Sequence, residues 1–265
     1  MSTGKIEELA IYVSSFDGYK DLWDNFFRIF EIYWPECSVK VYLVNNEESY
    51  IRENITVLNT GAERNWFYRT NLSLSQISEK YILFMLEDYL ISKKVEEGDI
   101  SEIISFMKEN KIYYYRLSKN KLKETGKRVL GIPGNTPYPI SLQPAIWERE
   151  KLILFLNEID RSTPWDFEEH FVKKYKNSAG IIEKICYDNR DLLGYKNGVL
   201  RGKWIPSTLK YYRRKGIIID TKGRKTLKKS MDLKFQISEI ISGMFSYEIK
   251  ERIKKILDIL HIKYL

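Results

Sequence analysis

Two adjacent carboxylates, Glu87 and Asp88, end an apolar run within the stretch YILFMLEDYLI at residues 81–91. Packing alone explains this pattern poorly. Continuous apolar runs are typical of strands that are buried on both faces, as in parallel α/β sheets, and ligands of such sheets bind outside the carboxyl ends of the strands. The run therefore predicts a buried strand that delivers two acids to a ligand-binding edge. The same acids could instead cap the next turn and be solvated.

A second group of acids lies in the segment STPWDFEEHFVKKY: Asp166, Glu168 and Glu169. Ser162 or Thr163 can cap a helix at this point, with Pro164 at the first helical position. The pattern predicts a helix that begins next to these acids. Because acids near a helix start are stabilised by the helix dipole, a purely structural interpretation also stands.

The first acid pair is preceded by alternating strands and helices. Three apolar, β-branched runs are typical of strands: residues 8–14, 38–46 and 55–60. Two segments have helical spacing of apolar residues: 20–34 and 65–81. Strand, helix, strand is the βαβ unit, which implies a parallel sheet with right-handed crossovers. The fold class that we expect is α/β, with a mostly parallel sheet flanked by helices.

The rest of this domain continues the alternation. The pattern predicts a helix at 98–111, a strand at 112–118, and a strand followed by a helix at 141–160. The segment 121–141 between them is rich in glycine and proline and supports no long regular element. Short strands and turns then reach Trp204 and Pro206.

The composition shifts towards basic residues after about residue 200. The apolar residues of the segment 231–265 recur at helical spacing. We therefore divide the chain into a catalytic domain at 1–206 and a basic, helical extension at 207–265. The basic region from Lys203 to Lys229 could be a solvated face, a lid over bound phosphates, or a surface for anionic lipids. The tail could also pack on the catalytic domain or form a dimer.

The composition is that of an ordinary soluble protein, with 265 residues, 43% of them apolar and 30% charged. No stretch approaches the roughly 20 apolar residues of a membrane span, and the first residues do not form a signal peptide, so we expect a cytoplasmic protein. Cys37 and Cys186 indicate neither a zinc site nor a disulfide framework. The net charge of +8 points to anionic partners such as phosphates, nucleic acid or a lipid surface.

Several common nucleotide and catalytic motifs are missing from the sequence. The segment SFDGY after the first strand is neither a GxGxxG nor a Walker loop, so a kinase or a dehydrogenase has no support. His170 and His261 are the only histidines, and their positions suggest neither a metal pair nor a Ser/His/Asp arrangement.

Four segments, taken in order, resemble bacterial glycosyltransferases of the GT-A fold that act in capsule and lipopolysaccharide assembly. They are SSFDGYKDLWDNFFRIFEIYWPECSVKVYLVNN, WFYRTNLSLSQISEKYILFMLEDYLI, ISLQPAIWEREKLILFL and STPWDFEEH. The resemblance covers residues 8 to about 206, and the order of the segments is more specific than any one of them. It implies a GT-A-like, Rossmann-like sheet in the catalytic domain.

In that family the first strand and its loop hold the nucleotide of the sugar donor, and an Asp-x-Asp-like motif binds a divalent metal between the two phosphates. The resemblance implies donor-binding roles for Ser14, Ser15, Asp17, Tyr19, Arg69, Glu87 and Lys203. Leu86 stands where the motif has its first Asp, so the use of Mn or Mg is an open question. Asp88 is the favoured metal ligand, and Glu87 either helps it or hydrogen-bonds to the donor sugar.

The WDFEE segment resembles the part of the same fold that holds the acceptor-side acid. In inverting enzymes of this kind a carboxylate removes the proton from the attacking hydroxyl group. Glu168 is the candidate base, with Asp166 and Glu169 as neighbours. Trp165 is expected to stack on a sugar face, and Gln143 to hydrogen-bond to hydroxyl groups.

The resemblance implies a glycosyltransferase, inverting in outcome, that moves a sugar from a nucleotide-sugar donor to a saccharide or a lipid-linked saccharide. We expect contact with the cytoplasmic membrane face and no nucleic-acid partner. Two alternatives remain open: a nucleic-acid-binding protein that uses the basic C-terminal region, and a GT-A-like scaffold without catalytic activity.

Overall fold

The computed structural model describes residues 6–62, 65–118, 130–133, 139–159, 163–187 and 189–244. These residues form two compact units, one that extends to Lys196 and one that begins at Asn197. The loop prediction for 121–141 and the helical prediction for 231–265 lie partly outside the described residues.

A central sheet of eight strands organises the described part of the first unit, in the order β3-β2-β1-β4-β8-β6-β9-β7. The strands are β1 Leu9–Ser14, β2 Lys40–Asn45, β3 Ile55–Asn59, β4 Tyr81–Leu86, β5 Tyr89–Leu90, β6 Tyr114–Arg116, β7 Ile132–Pro133, β8 Ala145–Glu148 and β9 Ile185–Tyr187, of which the short β5 lies outside the sheet. Strands β1 to β4 are mutually parallel, whereas β8 runs antiparallel to both β4 and β6. The predicted α/β class with a mostly parallel sheet is confirmed.

The apolar run that precedes Glu87 forms strand β4, at the centre of the sheet. Its residues from Tyr81 to Met85 are at most 1% exposed, because neighbouring strands cover both edges and helices cover the faces. Burying one large apolar side chain contributes roughly 1.5–3 kcal/mol. This strand is therefore a rigid support, and it ends at Leu86, directly before the two acids.

Six helices belong to the described part of the first unit: α1 Lys20–Tyr33, α2 Trp66–Leu74, α3 Glu97–Asn110, α4 Arg149–Leu156, α5 Pro164–Tyr175 and α6 Ala179–Ile182. A single 3₁₀ turn, Asp17–Tyr19, precedes α1. Helix α2 is shorter than the predicted span of 65–81, since it ends at Leu74 and a turn leads into β4. Helix α5 begins as predicted, with Thr163 at its N-cap and Pro164 in its first turn.

The second unit, as far as it is described, contains short hairpin strands and two helices. These are β11 Val199–Leu200, β12 Lys203–Trp204, α7 Pro206–Arg214 and α8 Lys229–Met244, after β10 Lys196–Asn197 at the junction. The carboxylate of Asp232 in α8 accepts hydrogen bonds from the backbone nitrogen and the hydroxyl of Ser207, at 2.8 and 2.6 Å, and so joins α8 to the start of α7. Helix α7 was not predicted, because its basic residues leave few apolar positions to mark a period.

Candidate active site

The loop after β1 is fixed by tryptophan and arginine side chains. The hydroxyl of Ser15 accepts a hydrogen bond from Trp23 Nε1 at 2.8 Å, and the hydroxyl of Ser14 accepts one from Trp66 Nε1 at 3.3 Å. The backbone carbonyl of Ser15 accepts a hydrogen bond from Arg69 Nη2 at 2.5 Å. Both serines, which were predicted to bind the donor, are buried, so their role at this edge is to hold the loop in one conformation.

Asp17 joins the loops that follow β1 and β2. Its carboxylate accepts hydrogen bonds from the backbone nitrogens of Asn46, Glu47 and Glu48, at 3.1–3.3 Å. Asp17 therefore organises the loop in which we predicted a nucleotide site. Tyr19 stacks obliquely on Phe16, with ring centroids 4.6 Å apart, and Phe16 is 41% exposed. This aromatic pair therefore presents a partly exposed apolar surface at the edge of the sheet.

Arg69 is a buried cation at the same edge. Its Nε donates to the hydroxyl of Thr60 at 2.9 Å, next to the end of β3, and its Nη2 donates to Ser15. Burial lowers the pKa of Arg69, and electrostatic interactions with Tyr12, Asp17 and Glu87 oppose this shift. The guanidinium group thus joins the end of β3 to the loop after β1.

Glu87 and Asp88 follow β4 at the carboxyl end of the parallel strands, where Leu86 is paired with Ser14. Glu87 is buried and Asp88 is half-buried. Next to them, burial raises the pKa of the Tyr89 phenol well above its ordinary value, and the charges of Asp88, Tyr195, Glu168 and Glu87 raise it further. Burial is the largest of these effects on the pKa of Tyr89.

Glu168 reaches this edge because its neighbour on α5 is fixed in the core. Phe167 is fully buried, and its ring centroid lies 5.8 Å from that of Trp147 on β8 and 6.3 Å from that of Trp66. Oε1 of Glu168 accepts a hydrogen bond from the backbone nitrogen of Leu142 at 2.6 Å. Burial raises the pKa of Glu168, although the Leu142 hydrogen bond and the charge of Arg116 oppose the shift.

The other two acids of the WDFEE segment have different surroundings. Asp166 Oδ2 accepts hydrogen bonds from the backbone nitrogen and the hydroxyl of Thr163, at 3.1 and 2.6 Å, and this capping box starts α5. Glu169 is exposed and forms an ion pair with Lys173, one turn later, at 3.3 Å. Of the three acids, Glu168 is the one that accepts a hydrogen bond from the segment just before β8, whose first residue, Ala145, pairs with Phe84 of β4.

The structure gives less information about the residues that we predicted to contact the acceptor and the phosphates. Gln143 Oε1 accepts a hydrogen bond from the Ser118 hydroxyl at 2.7 Å, so its amide NH₂ group remains the donor for a ligand. Trp165 is the second residue of α5, and its side chain is not among the described parts of the structure. Lys203 is exposed and belongs to the second unit.

Glu87 and Asp88 match the kind of site in which the protein and a bound ligand together coordinate a metal ion. Among the described residues, no group of three or more His, Cys, Asp or Glu side chains could hold a metal ion. Mg²⁺ is commonly bound by one or two carboxylates together with substrate phosphates and water, rather than by an all-protein cage. Two adjacent carboxylates at a strand end match that kind of site, with Asp88 the more accessible of the two.

Sequence reasoning missed Arg116 and Tyr89. Arg116 ends β6, and its guanidinium carbon lies 5.3 Å from the centre of the Tyr187 ring. Tyr89 contacts Tyr195, with ring centroids 4.8 Å apart. One signal was available, since Arg116 follows a predicted strand and strand ends carry ligand-binding residues. Nothing in the sequence marked Tyr89 beyond its place next to the acids.

The described cavity lies at the opposite edge of the sheet, near the amino ends of β1 and β2. It has a volume of about 210 Å³ and is lined by Ile6, Glu7, Leu9, Ser38, Lys40 and Glu79. Lys40 and Glu79 form an ion pair at 2.6 Å across this space. Since ligands of open α/β sheets bind at the carboxyl ends of the strands, we assign the site to the acid-lined edge and not to this cavity.

No protein-family model matches the chain, and no curated protein matches it. Among solved structures, a mannosyltransferase from Pyrobaculum calidifontis in complex with GDP-Man and Mn²⁺ is 10% identical, with a TM-score of 0.48, over 76% of this chain and 60% of that chain. A cytidylyltransferase from Leptospira borgpetersenii is 13% identical, with a TM-score of 0.45, over 97% of this chain and 98% of that chain. S. aureus TarS 1–349 in complex with UDP-GlcNAc is 13% identical, with a TM-score of 0.39, over 71% of this chain and 57% of that chain.

This chain therefore spans less than two thirds of the mannosyltransferase and of TarS 1–349, and almost all of the cytidylyltransferase. The TM-scores lie below 0.5 and the identities below 25%, so these similarities assign no activity to the chain. The function has to follow from the residues at the acid-lined edge.

Proposed function

We propose that this protein is a glycosyltransferase that transfers a sugar from a nucleotide-sugar donor to a hydroxyl group of an acceptor. One observation carries the proposal. Strand β4 ends directly before Glu87 and Asp88, and it pairs through Phe84 with Ala145 at the start of β8. Leu142, just before β8, holds the Glu168 carboxylate, although about 80 residues separate Glu168 from the other two acids in the sequence. The resemblance of four ordered segments to GT-A enzymes supports the same assignment.

The acid Glu168 fits the role of general base. A base must be a carboxylate within hydrogen-bond reach of the attacking hydroxyl, and a raised pKa makes it a stronger proton acceptor. Oε1 of Glu168 is held by the Leu142 backbone nitrogen, which leaves Oε2 as the atom for the substrate. Asp166 and Glu169 are committed to a helix cap and to a surface ion pair, so neither competes for this role.

The reaction that follows is a single displacement at the anomeric carbon of the donor. The acceptor oxygen forms a bond to this carbon while the bond from the carbon to the diphosphate oxygen breaks. The diphosphate leaves with the electron pair, and the hydroxyl proton passes to Oε2 of Glu168. Attack from the face opposite the leaving group inverts the anomeric configuration, and the configuration of the product tests this point.

The donor side must stabilise a leaving diphosphate. Glu87 and Asp88 would hold a divalent cation there, and the cation would neutralise the charge that develops on the phosphates. Arg69, buried against the loop after β1, adds a fixed positive charge at this edge. Asp17 shapes the same loop through the backbone nitrogens of residues 46–48. We propose that this loop and the exposed Phe16 and Tyr19 pair receive the nucleoside.

We further propose that the acceptor belongs to a surface polysaccharide or its lipid-linked precursor, and that the second unit contacts the membrane. Between residues 201 and 236, the only acids are Asp220 and Asp232. The consecutive cations Arg213, Arg214 and Lys215 are exposed, and the nearby Ile218 is 71% exposed. Basic residues beside an exposed apolar side chain suit an anionic lipid surface. Among the described residues, no helix combines the length and apolar character that a membrane crossing needs.

A panel of nucleotide sugars tests the proposal. Each donor is incubated with the full chain, with and without Mn²⁺ or Mg²⁺, and release of the nucleoside diphosphate is measured with water as the acceptor. Slow, donor-selective hydrolysis is expected. Failure of every nucleotide sugar and every nucleoside diphosphate to bind would contradict the proposal. Formation of a nucleotide sugar from a nucleoside triphosphate and a sugar phosphate would show a nucleotidyltransferase instead.

A further inference from the structure

Arg116 is a half-buried cation, and among the described residues no carboxylate forms an ion pair with it. Its guanidinium carbon lies 5.3 Å from the centre of the Tyr187 ring, and its buried Nε atom makes no hydrogen bond. A buried donor of this kind is costly unless a water molecule or a ligand accepts its hydrogen bond. The contacts within the described structure therefore leave the charge of Arg116 available to an anion.

The register of the sheet places Arg116 at the same edge as the candidate active site. Strand β8 is antiparallel to both β4 and β6, so β4 and β6 run in the same direction and end at the same edge. One row of paired residues crosses β4, β8, β6 and β9: Phe84, Ala145, Arg116 and Tyr187. Neighbouring strands lie about 4.8 Å apart, so Arg116 is about 10 Å from β4, whose end precedes the acid pair.

The Arg116 side chain lies on the face of the sheet that α5 covers. Side chains two positions apart on a strand point to the same face. Tyr114, two positions before Arg116, packs against Trp147 of β8, with ring centroids 4.5 Å apart. The Trp147 ring lies 5.8 Å from that of Phe167 on α5, and Phe167 directly precedes Glu168. Arg116 and the candidate base therefore belong to the same face of the sheet.

The segment before β8 places Gln143 next to Arg116. Arg116 pairs with Ala145 on β8, and the hydroxyl of Ser118 donates to Gln143 Oε1 at 2.7 Å, so the contact between the two strands extends two residues beyond this pair. Residues in such a diagonal position are roughly 7–8 Å apart on one face of a sheet, within reach of long side chains. The amide NH₂ group of Gln143 and the guanidinium group of Arg116 can thus donate to one ligand.

We propose that Arg116 and Gln143 bind an anionic group, a phosphate or a carboxylate, on the acceptor saccharide. The planar guanidinium group can donate two parallel hydrogen bonds to either anion. The position favours the acceptor over the donor, because β1, whose loop we assign to the nucleoside, is three strands away from β6. Leu142, next to Gln143, holds the candidate base Glu168. The proposal rests on the proposed function and adds the chemical class of the acceptor.

The first experiment measures anion binding and requires no activity. Methyl phosphate is titrated into the full chain by calorimetry, alone and with an excess of each nucleoside diphosphate and Mg²⁺. Its Kd should weaken by about tenfold or more in Arg116→Gln, and by less in Arg116→Lys, which keeps the charge but loses the planar group. An excess of nucleoside diphosphate should leave this binding in place.

The matched control is Arg149→Gln. Arg149 is a half-buried arginine at the opposite edge, where it donates to the backbone carbonyls of Glu79 and Leu74. Its replacement should leave the Kd of methyl phosphate within about twofold of the wild-type value. A second variant, Gln143→Glu, still accepts the Ser118 hydrogen bond but places a negative charge beside Arg116. It should weaken binding as well, and it tests the site independently if Arg116→Gln does not fold.

The second experiment compares matched acceptors in the transfer reaction. Methyl glucoside is compared with methyl glucuronoside and with glucose 6-phosphate, and the corresponding galactose compounds form a second set. In the wild-type protein the charged acceptors should have the higher kcat/KM, by about tenfold or more. In Arg116→Gln this preference should disappear, mainly through a higher KM of the charged acceptors.

Each outcome has a distinct meaning. Methyl phosphate binding that is absent in the wild-type protein, or equal in wild type and Arg116→Gln, would overturn the proposal. Displacement of methyl phosphate by a nucleoside diphosphate would also overturn it, since Arg116 would then belong to the donor site. A preference for neutral acceptors in the wild-type protein would have the same consequence. If no nucleotide sugar or nucleoside diphosphate binds, the proposed function fails, while the methyl phosphate titration still measures whether Arg116 forms an anion site.

Discussion

The two edges of the central sheet handle their charges in opposite ways. At the amino edge, cations and carboxylates neutralise each other: Lys40 pairs with Glu79 at 2.6 Å, and Lys108 with Glu8 at 3.1 Å. At the carboxyl edge, backbone nitrogens hold the carboxylates of Asp17 and Glu168. The buried or half-buried cations there, Arg69 and Arg116, are paired with no described carboxylate, whereas the more exposed Lys20 and Glu48 form an ion pair at 2.7 Å.

This difference separates structural charges from charges that are available to a ligand. An ion pair satisfies both partners, and at a surface it contributes little to stability. A partly buried carboxylate that accepts one backbone hydrogen bond has a second oxygen available to a substrate. The burial of its charge is unfavourable for stability. Perturbed carboxylates near a sheet edge that binds ligands indicate a functional site, whereas the buried Glu79 at the amino edge is neutralised by its ion pair with Lys40.

The largest effect should come from removing the base at the carboxyl edge. Glu168→Gln keeps the amide oxygen for the Leu142 hydrogen bond but cannot accept a proton. We expect a loss of roughly 10²–10⁴-fold in kcat, with the Kd of the donor changed less than about twofold. The rate of nucleoside diphosphate release and donor titration by calorimetry check the two halves of this prediction.

The matched control for that variant is Glu169→Gln, which alters the adjacent acid of the same helix. Glu169 is exposed and paired with Lys173, so its replacement should leave kcat within about twofold and weaken only a surface ion pair. Equal losses in both variants, or full activity in Glu168→Gln, would move the base to another residue.

A smaller effect is expected when the donor side of the same edge is changed. Asp88→Asn removes the negative charge that a cation needs, so binding of a nucleoside diphosphate with Mn²⁺ should weaken by on the order of 10²-fold. Binding without the metal should change much less. Titration calorimetry with and without Mn²⁺ gives both values, and Glu96→Gln, an exposed acid paired with Lys94 in the same unit, is the control. Equal metal dependence in both variants would remove Asp88 as a ligand.

The stability effects of the two edges should also differ. Asp17→Ala leaves the backbone nitrogens of residues 46–48 without their acceptor, and we expect a loss of about 1–3 kcal/mol in the free energy of unfolding. Glu79→Gln at the amino edge should cost less, because Lys40 is largely exposed and can be solvated. Urea unfolding of both variants measures this difference. A larger loss from Glu79→Gln would contradict this prediction, since the contacts of Glu79 would then stabilise the fold more than those of Asp17.

The smallest effects concern pH, and they should have opposite signs at the two edges. At Glu79 burial alone would raise the pKa, yet the Lys40 contacts bring it below its ordinary value, so its contribution to stability is lost as pH falls through the folded pKa. At Glu168 burial raises the pKa, so its contribution is lost as pH rises through the folded value. The measurement compares the free energy of unfolding of the protein with that of its Glu79→Gln and Glu168→Gln variants between pH 3 and 7. The two differences should change with pH in opposite directions. Slopes of the same sign would contradict the difference that we infer between the two edges.

Much of the fold could be predicted from the sequence, since hydrophobic patterning is a strong local signal. The strands β1 to β4, the helices α1, α3 and α5, and the position of Glu87 and Asp88 after a buried strand were all predicted. Helix α7 was missed because its segment is short and mostly polar, with few apolar residues. The end of α2 was also missed, because the turn at residues 75–80 contains serines and a glutamine that fit a helix almost as well.

The site was less predictable, because it depends on which side chains meet across the sheet. Glu168 was singled out through a resemblance, but the three acids of its segment could not be ranked until Asp166 proved to be a cap and Glu169 a surface residue. The contact of Asp17 with the loop after β2 and the pairing of Arg116 with Ala145 of β8 join residues more than 25 positions apart. No local pattern contains such information.

Hydrogen–deuterium exchange with and without a nucleoside diphosphate and Mn²⁺ tests the donor site most directly, since it reports on both edges of the sheet at once. We predict slower exchange in peptides that contain residues 14–19, 45–48 and 86–90, at the carboxyl edge. Peptides around Glu8, Lys40 and Glu79, at the amino edge, should be unchanged. Protection at the amino edge, or no protection at any nucleotide concentration, would contradict the assignment of the acid-lined edge as a donor site.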